Sequence, residues 1–307
     1  MDIADQILDT LVGLEQVGIQ VAWRTSAPHY TGSERDSNMT GETGFDLAGM
    51  KEWEPGDRLD TRTTGRTGWR TRYTRVYEQP RELTVYAIVE DSQSVQYGMV
   101  NQTKKQLAAK LMASVLLNAT ALNDLSGYAV WSGEHLQRFR KPAPAGHTLY
   151  AALSFYLDSE RENDELQPSE ISGLGQALTR LPADRRCLVF VISDCLAWSE
   201  SDRDALDQAA SQHDIVFLVV GDLRERELPD EGFGFRDIED IQTGKKVSVF
   251  LSAEARRRWQ EDFDRRREEM RKRLENFGIS MEEFFTDQTV DELNEKIVPV
   301  LAGQRST

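Results

Sequence analysis

LTVYAIVEDSQSV, Leu83 to Val95, joins an apolar run to a cluster of acids and hydroxyls. Its first seven residues, Leu83 to Val89, are apolar or β-prone with no polar alternation, which predicts a strand buried on both faces, as in a parallel sheet. Two acids, Glu90 and Asp91, stand at its end, and Ser92 and Ser94 follow. A carboxylate at the end of a buried strand, with hydroxyls two and four residues later, has the makings of a cation cradle. Downstream come Gly98 and a long helical pattern.

Toward the C-terminus, strands and helices alternate. Residues 103–122 predict a helix, with Leu107, Leu111, Val115 and Ala119 in one row and Ala108, Met112 and Leu116 beside it. Gly127–Trp131 reads as a strand, and Leu149–Leu157 and Leu174–Leu181 read as helices. Cys187–Ile192 is a fully apolar strand ending in Ser193-Asp194. A helix over 202–210 precedes another apolar strand, Ile215–Val220, which ends in Gly221-Asp222. This alternation predicts a doubly wound, mostly parallel α/β sheet. Ligands on such sheets bind at the carboxyl ends of the strands. Glu90, Asp91, Asp194 and Asp222 all fall at predicted carboxyl ends.

Beyond Pro229 the pattern changes. Residues 233–251 read as a strand pair turning at Thr243-Gly244, and Ser252 caps a charged helix to about Phe277, stopped by Gly278. A last strand and a helix over 290–301 follow. At the other end, Ile3, Ile7, Leu8, Leu11, Leu14 and Val17 give an amphipathic helix over 2–17. Residues 25–46 predict a loop, and 69–78 a strand weighted by Trp69, Tyr73 and Tyr77. The chain therefore divides into an N-terminal helix plus loop and β extension over 1–80, an α/β core over 81–225 and a C-terminal addition over 226–307 that completes the domain.

Composition limits the partners. The 307 residues carry a net charge of −15, with 39% hydrophobic and 29% charged side chains. That sign disfavours nucleic acid and anionic membranes, which need a basic face. No apolar run approaches a membrane span and the acidic N-terminus is unlike a signal peptide, so the expectation is a soluble cytoplasmic protein that meets other proteins. Cys187 and Cys195 read as core thiols. The arginines at 58, 62, 66, 70, 72 and 75 suit a phosphate or acidic partner surface, or internal pairing with surplus carboxylates. The helix over 252–277 interleaves nine basic and seven acidic side chains, as a solvated face does. No HExxH, Cys/His cluster, Gly-x-Ser-x-Gly elbow or phosphate loop is present.

The order strand–carboxylate–hydroxyls–helix, then Gly146-His147-Thr148, then strand–Ser193–Asp194 resembles a von Willebrand factor A type domain. The whole chain, roughly 10–300, resembles the bacterial domain-of-unknown-function 58 family. EWEPGDRLDTRTTGR keeps Gly56, Asp57, Asp60 and Arg66 of the family pattern, although Thr61 stands where Trp is expected. GDLRERELP at Gly221–Pro229 and the helix FDRRREEMRKRLENFGI are similar to later family segments. The family's adhesion motif is Asp-x-Ser-x-Ser, then a Thr, then an Asp. With Asp91 in first place both serines are lost; with Glu90 there, Ser92 and Ser94 keep them, and Gly98 keeps the family glycine.

The resemblance then implies a metal site of Glu90, Ser92, Ser94, Thr148 and Asp194 holding Mg²⁺, with one position open to an acidic side chain of a protein partner. Two readings stay open: a working Mg²⁺ site, or a degenerate one in which Glu90 and Asp194 accept bonds from Ser92, Ser94 and backbone amides, since Glu is a methylene longer than the family's Asp. The resemblance also implies a non-enzymatic adaptor working with a MoxR-type AAA+ ATPase in protein maturation or cofactor insertion. Without the two N-terminal membrane helices of many relatives, the expectation is the soluble branch. The alternatives are a metal-dependent hydrolase using the same carboxylates and a metal-free structural scaffold.

Overall fold

The computed structural model describes residues 3–15, 47–52, 64, 66, 72–77, 83–98, 101–158, 171–195, 201–227, 234–239 and 246–301. Its contacts form two units, Met1–Pro28 with Leu83–Thr307, and His29–Glu82.

The smaller unit contains an antiparallel pair, β1 (Leu47–Glu52) and β2 (Tyr73–Tyr77), with Lys51 opposite Thr74 and a bulge between Leu47 and Gly49. Of the arginine run, Arg66 and Arg72 are exposed and Arg75 lies in β2 opposite Met50. Arg58, Arg62 and Arg70, and the expected loop over 25–46, lie outside the described residues.

The larger unit is built on six strands: β3 (Thr84–Glu90), β4 (Leu125–Ser132), β5 (His135–Pro144), β6 (Leu188–Ser193), β7 (Asp214–Gly221) and β10 (Ser280–Phe285), in the order β10-β7-β6-β3-β4-β5. All neighbours are parallel except β4 and β5. The fold is therefore α/β with a mostly parallel sheet. Every residue of central β3 is buried, because it has a strand on each side and helices on both faces.

Alternate residues of each strand serve alternate faces. Val85, Ala87, Val89, Phe190 and Ile192 face one core with α1 (Ile3–Glu15), α2 (Lys104–Ala121), α3 (Ala145–Leu157) and α8 (Val290–Leu301). Tyr86, Ile88, Val189, Val191 and Phe217 face the other, with α4 (Gly173–Thr179), α5 (Ser201–Gln212) and α7 (Ala253–Asn276). A short helix α6 (Leu223–Arg226) and an antiparallel pair, β8 (Gly234–Glu239) with β9 (Lys246–Leu251), lie between β7 and α7 in sequence. No described helix is long and apolar enough to cross a membrane.

Two expectations change. Helix α1 belongs to the α/β unit and not to an extension over 1–80, because Ile7 and Leu14 are buried in its core beside α2 and α3. Residues 135–144 form the edge strand β5, which runs back antiparallel to β4, so that Pro144 lies opposite Leu125 at the amino end of the sheet. Helix α3 therefore starts at the end opposite the predicted site.

Candidate functional site

Strand β3 delivers Glu90 to the carboxyl end of the sheet, and β6 delivers Ser193 and Asp194 beside it. Asp91 N donates to Trp131 O at 2.7 Å and ties the chain to the end of β4. A 3₁₀ turn over Gln93–Gln96 then places the Ser92 and Ser94 hydroxyls 2.8 Å apart. Glu90 is 4% exposed. Its Oε2 accepts from Ser193 Oγ at 2.5 Å, and its backbone O accepts from the Tyr156 hydroxyl at 2.9 Å. Burial first, then the Asp194 charge, pushes its carboxyl up to about 7, against the pull of the Ser193 and Ser92 hydroxyls and Lys104. The side chain of Asp91 turns away, accepting from Gln96 Nε2 at 2.7 Å and pairing with Lys105 at 3.0 Å.

Helix α2 begins in a capping box, with Thr103 Oγ1 accepting from Gln106 N and Gln106 Oε1 from Thr103 N. Its first residue is Lys104. The ammonium lies 2.9 Å from Asp194 Oδ2 and 2.6 Å from Glu225 Oε1, with Lys104 1% and Asp194 0% exposed. Burial pulls the lysine's pKa down, but Asp194 and Glu225 outweigh it and the group ends above its ordinary value. Arg267 of α7 donates to Asp194 O at 2.9 Å, and Trp259 Nε1 donates to Glu225 O at 2.8 Å.

A pocket of about 230 Å³ opens at this end of the sheet. Glu90, Ser92, Ser172, Ser193 and Asp202 supply its polar lining, and Trp131, Leu174, Phe217 and Met270 are apolar walls. Ser172 caps α4, accepting from Gly175 N at 3.1 Å and donating to Asp202 Oδ1. Gly173 beside it has no room for a side chain: a Cβ there would meet His135 O at 2.6 Å and Trp131 Cβ at 2.9 Å. Gly173→Val is expected to cost about 1–3 kcal/mol by overpacking against backbone. An unchanged urea midpoint would show that α4 can shift away from β5.

The structure brings together four of the five expected residues, Glu90, Ser92, Ser94 and Asp194, but not Thr148. Thr148 Oγ1 donates to Ser126 O at 2.9 Å, and Ser126 lies opposite Val85 in the sheet. Five residues of strand separate that point from Glu90, roughly 16 Å at the usual rise. His147, exposed beside Thr148, is equally remote. Asp222 is a helix cap, accepting from Arg224 N at 2.9 Å and from Thr286 Oγ1 at 3.0 Å.

Three participants escaped the sequence reading. Ser172 has a signal, a capping serine ahead of Gly-Leu-Gly-Gln-Ala-Leu. Lys104 has another: a lysine in the first turn of a helix opposes the helix dipole and calls for carboxylates nearby. Glu225 has none, since 121 residues separate it from Lys104.

The set does not fit Mg²⁺. That ion demands near-octahedral oxygen donors. Here the Asp194 carboxylate already carries an ammonium, the two serine hydroxyls bond each other and the threonine is absent. Among the described residues, no group of three or more His, Cys, Asp or Glu converges as a metal site.

The model of the family described as "Protein of unknown function DUF58" matches residues 49–269. No curated protein matches the chain. Similar solved structures include the conserved hypothetical protein BatB from Bacteroides thetaiotaomicron, 16% identical, TM-score 0.40, covering 72% of this chain and 99% of that one. An aerotolerance-related membrane protein from Bacteroides fragilis is 15% identical, TM-score 0.41, with 70% and 98% covered. A von Willebrand factor type A protein from Catenulispora acidiphila is 12% identical, TM-score 0.35, with 76% and 44% covered.

Proposed function

The chain belongs to the DUF58 family of proteins of unknown function, and on that premise we propose that it is a non-enzymatic interaction module whose partner docks at the carboxyl end of the sheet. The observation that carries this reading is the pocket itself: a recess lined by apolar side chains together with the Glu90 and Asp202 carboxylates and serine hydroxyls. Such a lining suits a partner side chain with an apolar stem and a hydrogen-bond-donating tip, a lysine or arginine. Both thiols, pushed up to about 12 chiefly by burial, stay protonated at neutral pH and offer no nucleophile. Ser193 lines the pocket but is 6% exposed, donates to Glu90 and accepts from Cys195 N at 2.8 Å.

The partner inferred from the family resemblance is a MoxR-type AAA+ ATPase, with this chain as its adaptor. The test is co-expression with the MoxR-type ATPase of the source genome and titration of the purified pair. Gln93, exposed, and Ser132, half-buried, also line the pocket. Gln93→Trp and Ser132→Arg are expected to weaken the complex at least about tenfold, equivalent to about 1.4 kcal/mol, while unfolding midpoints move within about 0.5 kcal/mol. A complex that forms equally well with both variants would remove the pocket from the interface. Turnover of a simple aryl ester, lost in Glu90→Gln, would replace the reading with hydrolysis.

A further inference from the structure

We infer that the Lys104 ammonium is the resident cation of this site, standing where a divalent ion would otherwise balance Glu90 and Asp194, so that the site is built to work without metal. The inference does not depend on which partner docks, because it rests on how the carboxylates are neutralised.

Asp194 is fully buried, and a buried carboxylate needs a positive partner and hydrogen bonds to remain charged. Lys104 Nζ supplies both to Asp194 Oδ2 at 2.9 Å and reaches Glu225 Oε1 at 2.6 Å. Toward Glu90 its pull is slight: burial and the Asp194 charge outweigh it and leave that carboxyl raised.

The backbone fixes where the lysine stem starts, and charge holds its ammonium. The capping box fixes the first turn of α2, and Lys104 N donates to Tyr97 O at 2.9 Å, which closes the 92–98 segment onto the helix start. Gly98 lets the two approach: a Cβ there would meet Gln102 O at 2.5 Å and Thr103 Cα at 2.6 Å. A divalent ion seeking Asp194 would meet the Lys104 ammonium, itself buried and already 2.9 Å from Asp194 Oδ2. A lysine in the first helical turn is unfavourable to the dipole on its own, so its placement answers to the carboxylates around it.

The test uses Mn²⁺ as the probe, followed by thermal unfolding and by the free-Mn²⁺ electron paramagnetic resonance signal. In the native chain, millimolar Mn²⁺ is expected to leave both unchanged. Lys104→Ala, which vacates the cation position next to Asp194, is expected to gain saturable Mn²⁺ binding and a rise in unfolding temperature of roughly 5 °C at saturation. Adding Asp194→Asn should abolish that gain. The inference is overturned if the native chain binds Mn²⁺ and Asp194→Asn removes the binding. It is equally overturned if Lys104→Ala folds and gains no Mn²⁺ response. Should Lys104→Ala not fold unaided, the native titration with its Asp194→Asn control decides alone.

Discussion

Replacing Lys104 by methionine is expected to destabilise the chain by about 3–5 kcal/mol, because it strands a buried carboxylate without its partner. Methionine keeps most of the side-chain volume, so the loss reports charge rather than a cavity. Asp194, 0% exposed, would keep only its remaining hydrogen bonds, and Glu90 nearby would add repulsion. Glu225→Gln should cost far less, because Glu225 is 30% exposed and water replaces the lost interaction. The diagnostic is the double variant. Lys104→Met with Asp194→Leu removes both charges, and replacing both members of a buried pair is often close to neutral. Denaturant midpoints at constant slope should therefore recover much of the single-variant loss. A double variant as damaged as Lys104→Met plus Asp194→Leu summed separately would mean the two residues act independently.

Much of this architecture could be read from residues alone, and the reasons differ by element. Leu83–Val89, Cys187–Ile192 and Ile215–Val220 are apolar without alternation, and the observed strands β3, β6 and β7 overlap them closely, because being buried on both faces leaves no place for polar residues. The capping signal at Ser252 located its helix for the same kind of local reason: the side chain accepts from the backbone N–H of Ala255, three residues on. Strand β5 was invisible because HLQRFRKPAP is an edge strand. It is half exposed, with Pro142 and Pro144 tolerated on an edge. The Gly-His-Thr that the family resemblance assigns to the site therefore lies at the amino end of the sheet, because β5 runs back before α3 begins. Long-range pairing was illegible for another reason: Lys104 meets Asp194 across 90 residues, and nothing in the local pattern of either one names the other.

Between pH 4.5 and 7 the native chain is expected to lose stability as pH rises, and Glu90 is the group responsible. In the unfolded chain its carboxyl titrates near 4.5; in the fold, burial and Asp194 push it up to about 7. The folded state thus holds the Glu90 proton more tightly, and this contribution is fully present below 4.5 and lost as pH climbs through 7. Glu90→Gln removes the titration while keeping the shape and an acceptor for Ser193. Its stability, measured by denaturant midpoint at each pH, should fall less steeply than the native chain's across this window, so that the variant gains on the native protein as pH rises. Parallel curves would place the Glu90 pKa back in the ordinary carboxylate range. The same comparison bears on docking, because a cationic partner group entering above Glu90 would stabilise its charged form. Partner affinity should then weaken as pH falls below 7 in the native chain and stay level in Glu90→Gln, whereas an acidic partner group would show the opposite slope.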